Sequence, residues 1–223
     1  MLTTFIDLKM KVISVNRGEA RLVKWRGKNV RTGIFKYPVD GAIFLGTEDV
    51  VDDAVVDRKY HGGVDMAVYA YSADHYPFWK QRFPNSDWSL GMFGENLTIE
   101  GLDESKMHIG SLYQLGEAQV QVCQPRQPCF KLGIRFGTQK VLKPFINSPY
   151  SGIYFRVTQP GSVKVGDEMK LLTDEPKSPT VAEVFSFMYH RTEKDKAKVE
   201  DTVNCAFLPQ GVRDTIRELQ LDQ

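Results

Sequence analysis

The sequence holds only three cysteines, and no two of them stand at the Cys-x-x-Cys spacing used by zinc ribbons and dithiol enzymes. Three thiols in 223 residues cannot build a disulfide framework, and an odd number leaves one unpaired. A reducing, cytoplasmic setting is the expectation. Histidine is equally sparse, at four residues, and no His-Glu-x-x-His is present, so standard zinc sites have no support. No Gly-x-Gly-x-x-Gly or Walker lysine loop marks a nucleotide site, and no flavin, haem or iron–sulfur motif is visible. Gly-x-Ser-x-Gly is also missing, which argues against an α/β-hydrolase. No run of about 18 apolar residues exists, so no membrane span is expected. The net charge of +1 gives no global attraction to nucleic acid or to anionic lipid. Any anion site must therefore be a local cluster. At the N-terminus Asp7 and Lys9 interrupt what would otherwise resemble a signal-peptide core, and the first convincing strand, KVISVN, follows Met10. Residues 1–10 read as an extension, with Met10 as an alternative start.

What is present is a chain of short apolar segments punctuated by Gly, Pro and Asp. Hydrophobic residues make up 42% and charged residues 26%, ordinary globular values. Strands are expected at 11–16, 29–37, 43–45, 52–58, 66–71, 96–99, 111–115, 118–123, 152–158 and 168–172. Gly116-Glu117 reads as a two-residue hairpin turn. In 118–123 the alternation of Ala118, Val120 and Val122 with Gln119 and Gln121 places Cys123 on the polar face or at the strand's end. One helix is expected where Tyr76, Trp79 and Phe83 recur at helical spacing. The segment TDEPKSPT (173–180) reads as a linker. Behind it come three helical patterns: one capped by Thr180 and Glu183 with Val181, Val184, Phe185 and Met188 on one face, a charge-rich one over 192–203, and one over 209–220 with Val212, Ile216 and Leu219. The fold class is therefore mainly β with helices (α+β): a strand-rich domain over 11–172 and a small helical unit over 181–223. So small a unit is marginal alone and is expected to pack on the strands.

Three clusters carry possible chemistry. DRKYHGGVDMAVYAY (57–71) brings Arg58, Lys59 and His61 to a Gly62-Gly63 turn whose N–H groups can face an anion. The same residues read equally as a solvated basic turn. GMFGENLTIEG (91–101) bends the chain before Asn96, which offers both a donor and an acceptor, or is simply a turn entering a strand. QPRQPCFKLG (124–133) stiffens a loop with two prolines and sets Cys129 three residues after Arg126 and two before Lys131. A neighbouring cation lowers a thiol's pKa, and thiolate is the nucleophile and metal ligand. The alternative is a buried cysteine acting as a small hydrophobe. Composition and spacing leave open whether this thiol attacks, carries sulfur or binds metal.

The segments KYHGGVDMAVYAY, HYPFW, FGENL and QPRQPCFKLG, in this order and followed by the helical tail, resemble the MOSC family, the molybdenum cofactor sulfurase C-terminal domains, in its bacterial YiiM-type branch. The resemblance covers nearly the whole chain. It implies a β-barrel-like domain that binds the molybdenum cofactor, with Cys129 supplying a thiolate to molybdenum. It implies an anion site for the pterin phosphate from Arg58, Lys59, His61, Gly62 and Arg126, with Asn96 orienting the pterin, and a proton relay through His61 or Asp65. The activity implied is reduction of small N-hydroxylated compounds such as 6-hydroxylaminopurine, with electrons from a separate reductase. Alternatives from other classes are a sulfur carrier with a persulfide on Cys129, and a cofactor-binding protein without turnover. A homodimer is open. Cys205, outside any motif, reads as structural.

Overall fold

Period-two burial builds the strands, and one long strand closes them into a barrel. The computed structural model describes residues 9–58, 61–190, 192 and 195–221, the side chains of 219–221 excepted. The expected extension up to residue 8, Lys59 and the side chain of Leu219 lie outside the described residues.

Strand β1 (Met10–Gly18) is followed by β2 (Arg21–Trp25), β3 (Lys28–Thr32), β4 (Lys36–Pro38), β5 (Ala42–Leu45), β6 (Val68–Ser72), β7 (Leu97–Glu100), β8 (Leu112–Leu115), β9 (Ala118–Pro125), β10 (Ile153–Gln159), β11 (Gly161–Lys164) and β12 (Glu168–Thr173). The order β12-β8-β9-β10-β6-β7-β1 closes because β1 also pairs with β12, through Met10 opposite Met169. Closure removes the sheet edges that would otherwise offer unpaired N–H and C=O groups. All neighbours in this seven-stranded barrel are antiparallel except β6 and β7. The far end of β1 pairs with β4, while β2–β3 and β5–β11 form separate two-stranded sheets.

Short helices fill the connections: α1 (Tyr76–Arg82), α2 (Phe130–Arg135) and α3 (Leu142–Ile146). They close over an aromatic core in which Tyr71 stacks on Phe93 at 3.9 Å between centroids and Trp79 donates to the Tyr71 hydroxyl at 2.6 Å. The tail forms α4 (Val181–Tyr189), α5 (Lys196–Val203) and α6 (Gln210–Leu221). Its first helix starts at the expected capping box of Thr180 and Glu183. Val181, Val184, Phe187, Val203, Val212 and Ile216 belong to the same buried cluster as the barrel residues Val120, Val122 and Phe155. Among the described residues, no helix is long and apolar enough to cross a membrane.

Several local expectations fail for physical reasons. Residues 52–58 form no strand. Asp52 adopts φ +61 and the Asp53 carboxylate turns inward to accept from the Gly18 N–H at 2.8 Å. This segment also breaks the strand expected over 29–37, since it crosses Gly33 so closely that an added Cβ would lie 2.0 Å from the Ala54 carbonyl oxygen. In β2 only Val23 and Trp25 are partly buried, too short an alternation to mark a strand, and Arg26 and Gly27, both at positive φ, make its hairpin turn. Helices α2 and α3 contain Gly133 and Pro144, residues that punctuate rather than propagate helices. Cys123 is fully buried rather than on a polar face. The β9–β10 register skips it as the extra residue of a bulge, Tyr154 facing Gln124 and Phe155 facing Val122, so its side chain leaves the alternation.

Because the tail and the barrel share one core, they are expected to unfold together. Ile216→Ala should cost about 2–5 kcal/mol and move the urea transition seen by tryptophan fluorescence, since buried Trp79 reports on the barrel side. An unchanged midpoint would show that the tail folds separately.

Candidate functional site

Strand β9 delivers the site's charge. It ends at Pro125, and the next residue, Arg126, turns its side chain inward and is only 5% exposed. Arg126 Nη1 donates to the Phe93 carbonyl at 2.7 Å. The guanidinium also sits 5.1 Å from the Tyr69 ring centroid and 5.8 Å from that of Phe145. Among the described residues no carboxylate pairs with it. Desolvation disfavours its charge, yet the nearby Tyr69 and Tyr154 hydroxyls and the Cys129 thiol favour it more, and its pKa is raised. It is a buried cation held by neutral acceptors and aromatic faces.

The loop carrying Phe93 is built around a second buried group. Glu95 accepts from the N–H groups of Gly91 at 3.0 Å and Phe93 at 2.9 Å, from the Thr98 hydroxyl at 3.0 Å and from the Tyr76 hydroxyl. Burial pushes its carboxyl pKa up against the opposing pull of these donors. Glu95 thus folds the GMFGEN turn so that one carbonyl faces Arg126. Asn96 beside it donates to Asp53 at 2.9 Å, and Asp53 takes a further bond from Lys36 at 2.5 Å.

Cys129 caps the N-terminus of α2, where its carbonyl accepts from the Leu132 N–H at 3.0 Å. Its loop is braced by Gln139, which donates to the Phe130 carbonyl at 2.8 Å. Partial burial alone would raise the thiol's pKa. The His61 hydrogen bond, the Arg126 and His61 charges and a backbone bond from Lys131 outweigh it and bring the pKa down to about 7. His61 reaches this position because its N–H closes a turn onto the Asp57 carbonyl at 2.8 Å. Cys123, six residues earlier, is pushed far up by burial. Cys205 is half-buried in the tail, 3.6 Å from the Ser178 hydroxyl.

A cavity of about 90 Å³ collects Lys36, Asp53, Asp57, His61, Tyr69, Asn96, Arg126, Cys129, Lys131 and Tyr154. Lys36 pairs with Asp53, and Lys131 with Asp57 at 3.4 Å, which leaves Arg126 as the cation without a carboxylate among the described lining residues. The structure therefore gathers His61, Asn96, Arg126 and Cys129 around one space. Arg58 does not line it: its half-exposed side chain pairs with Glu48 and Asp49 on the surface. Gly62 and Asp65 line an outer groove instead, and Asp65 is held by Arg156 Nε at 2.6 Å. The sequence reading did not find Lys36, Asp53, Tyr69 or Tyr154. Lys36 and Asp53 meet only where the chain crosses itself at Gly33. The tyrosines sit on neighbouring strands β6 and β10, so only the pairing register brings them together, through Tyr69 opposite Tyr154.

A family model for the MOSC domain matches residues 57–170, the span from the His61 turn to the closing strand. The chain belongs to the MOSC domain family. MOSC domains are associated with the molybdenum cofactor, so membership points to a function related to it. Within the family the chain is of the YiiM type. It matches the crystal structure of YiiM from Geobacillus stearothermophilus at a TM-score of 0.77 and 30% identity, covering 94% of this chain and 98% of that one. It is 38% identical to YflK of Bacillus subtilis, described as uncharacterized, over 92% of each chain. A protein named reductase from Gibberella moniliformis is 34% identical over 66% of this chain and 26% of its own length.

The thiol predicts a pH profile. Thiolate forms as pH rises through the pKa, so iodoacetamide should alkylate Cys129 with a rate that climbs through pH of about 7 and levels above it. His61→Ala should move that midpoint up toward the ordinary thiol value of about 8.5. A wild-type midpoint near the ordinary value, mapped to Cys129 by mass spectrometry, would contradict the geometry.

Proposed function

We propose that this protein uses the molybdenum cofactor to reduce N-hydroxylated compounds to amines. The observation that carries this reading is one cavity holding both an acidic thiol, Cys129, and a buried cation, Arg126, that no carboxylate among the described residues meets. The donor set fits the group. No three His, Cys, Asp or Glu side chains among the described residues could hold a bare metal ion. A single thiolate suits a metal that brings its own soft ligands. Cys129 would be the protein's ligand to molybdenum, and Arg126, with Lys36 and Lys131, would meet the anionic side of the pterin through charge-assisted contacts.

When bound, the cofactor supplies the two-electron centre that cleaves an N–O bond. Reduction of R–NHOH to R–NH₂ and water consumes two electrons and two protons. A separate reductase is the source of the electrons. His61 favours the thiolate through its hydrogen bond to Cys129 and would pass a proton to the departing oxygen. Asp65, in the outer groove, is engaged by Arg156 Nε at 2.6 Å.

Production in a host that makes the cofactor should yield protein with about one molybdenum per chain and N–O reduction when a flavin reductase is added. Cys129→Ser should lose most of the metal and lower activity by about 100-fold or more. Wild-type-like metal and activity in Cys129→Ser would refute the assignment. One extra sulfur on Cys129 without molybdenum would favour the sulfur-carrier reading instead.

A further inference from the structure

The C-terminal helix forms one wall of the approach to Cys129. A groove of about 850 Å³ lies outside the cavity and shares Asp57, His61, Met66, Cys129, Lys131 and Tyr154 with it. Its barrel side presents Val64 and Phe130, apolar side chains about half exposed. Beside them Gln127 is exposed, and among the described residues its amide bonds to no side chain or backbone group. The remaining wall comes from Pro209, Gly211 and Val212 at the start of α6.

That wall is fixed to the barrel. Arg156 on β10 donates Nη1 to the Phe207 carbonyl at 2.8 Å while its Nε holds Asp65. The Phe207 ring lies against Gly110, where an added Cβ would come within 2.5 Å of it. Val212 and Ile216 bury the helix in the common core. The tail is thus part of the access route.

Gly211 is the feature without a structural reason. It is the second residue of α6 and lines the groove without a side chain. Its φ is not among the positive values, so the backbone does not require it. An added Cβ would meet nothing within 4 Å, so packing does not require it either. A larger side chain here would start from the groove wall with nothing within 4 Å of its Cβ.

We propose that Gly211 is a specificity-determining position: its missing side chain keeps the groove wide enough for ring-sized substrates to reach Cys129. The access claim rests on the groove alone; only the identity of the substrate rests on the function proposed above.

The test compares alkylation of Cys129, mapped by mass spectrometry, by iodoacetamide and by the bulkier monobromobimane. In Gly211→Trp the bimane-to-iodoacetamide rate ratio should fall by about tenfold or more, while in Glu218→Trp, exposed on α6 outside the groove, it should stay within about twofold. An unchanged ratio in a Gly211→Trp protein that melts normally overturns the proposal. If that variant does not fold, Gly211→Leu serves in its place, with the same reading. In molybdenum-loaded protein, Gly211→Trp should raise KM for a bicyclic N-hydroxylated compound and leave KM for hydroxylamine and the molybdenum content unchanged. A fallen alkylation ratio with no turnover of any N-hydroxylated compound would support the groove and refute the function.

Discussion

A buried guanidinium that no carboxylate among the described residues meets is the constraint on which this site turns. Moving an ion out of water is expensive, and the usual remedy is an opposite charge with good geometry. Arg126 has instead the Phe93 carbonyl, the hydroxyls of Tyr69 and Tyr154 and two aromatic faces. Each partner comes from a different element, and each has to be placed independently. Phe93 depends on the Glu95 network that folds its turn, Tyr69 and Tyr154 depend on the β6–β10 register, and Arg126 itself depends on β9 ending at Pro125. The adjacency of β9, β10 and β6 in the barrel is what brings these placements together. The remaining electrostatic demand of Arg126 faces the cavity, where a bound anion or the Cys129 thiolate can meet it.

The two thiols of one segment show how local this control is. Cys123 and Cys129 are separated by five residues, yet one is driven toward the neutral form and the other toward the thiolate. Cys123 is the extra residue of a bulge and is closed off by the core. Cys129 stands past both prolines, where His61 and Arg126 reach it. The prolines matter through position: the first ends the strand, and the loop they stiffen carries the thiol from the sheet to the cavity mouth. Ionised Cys129 also offsets part of the cost of burying Arg126, so the thiolate and the cation favour one another.

Much of this was legible in the residues. Strand periodicity marked most of the barrel, the capping box marked the start of the tail, and the Pro-Cys loop marked the thiol. Two of the failures share a cause. The expected strands at 29–37 and 52–58 are both broken by a close backbone crossing at Gly33, which pattern cannot show because the partner is distant in sequence. Arg58 stood in the most basic turn and so attracted the anion-site reading, whereas the structure spends its charge on Glu48 and Asp49. Lys36, with no motif around it, occupies the cavity because Asp53 folds inward to meet it. The contribution of α6 to the groove was equally invisible, since it follows from how the tail docks.

The central claim is that Arg126 is held in place for a ligand rather than for the fold, and Arg126→Met tests it most directly. No carboxylate among the described residues would be orphaned, and methionine can fill much of the space, so the cofactor-free variant should keep its unfolding free energy to within about 1–2 kcal/mol. The same variant, made in a cofactor-competent host, should retain little molybdenum. Loss of most of the unfolding free energy with full molybdenum retention would contradict the account.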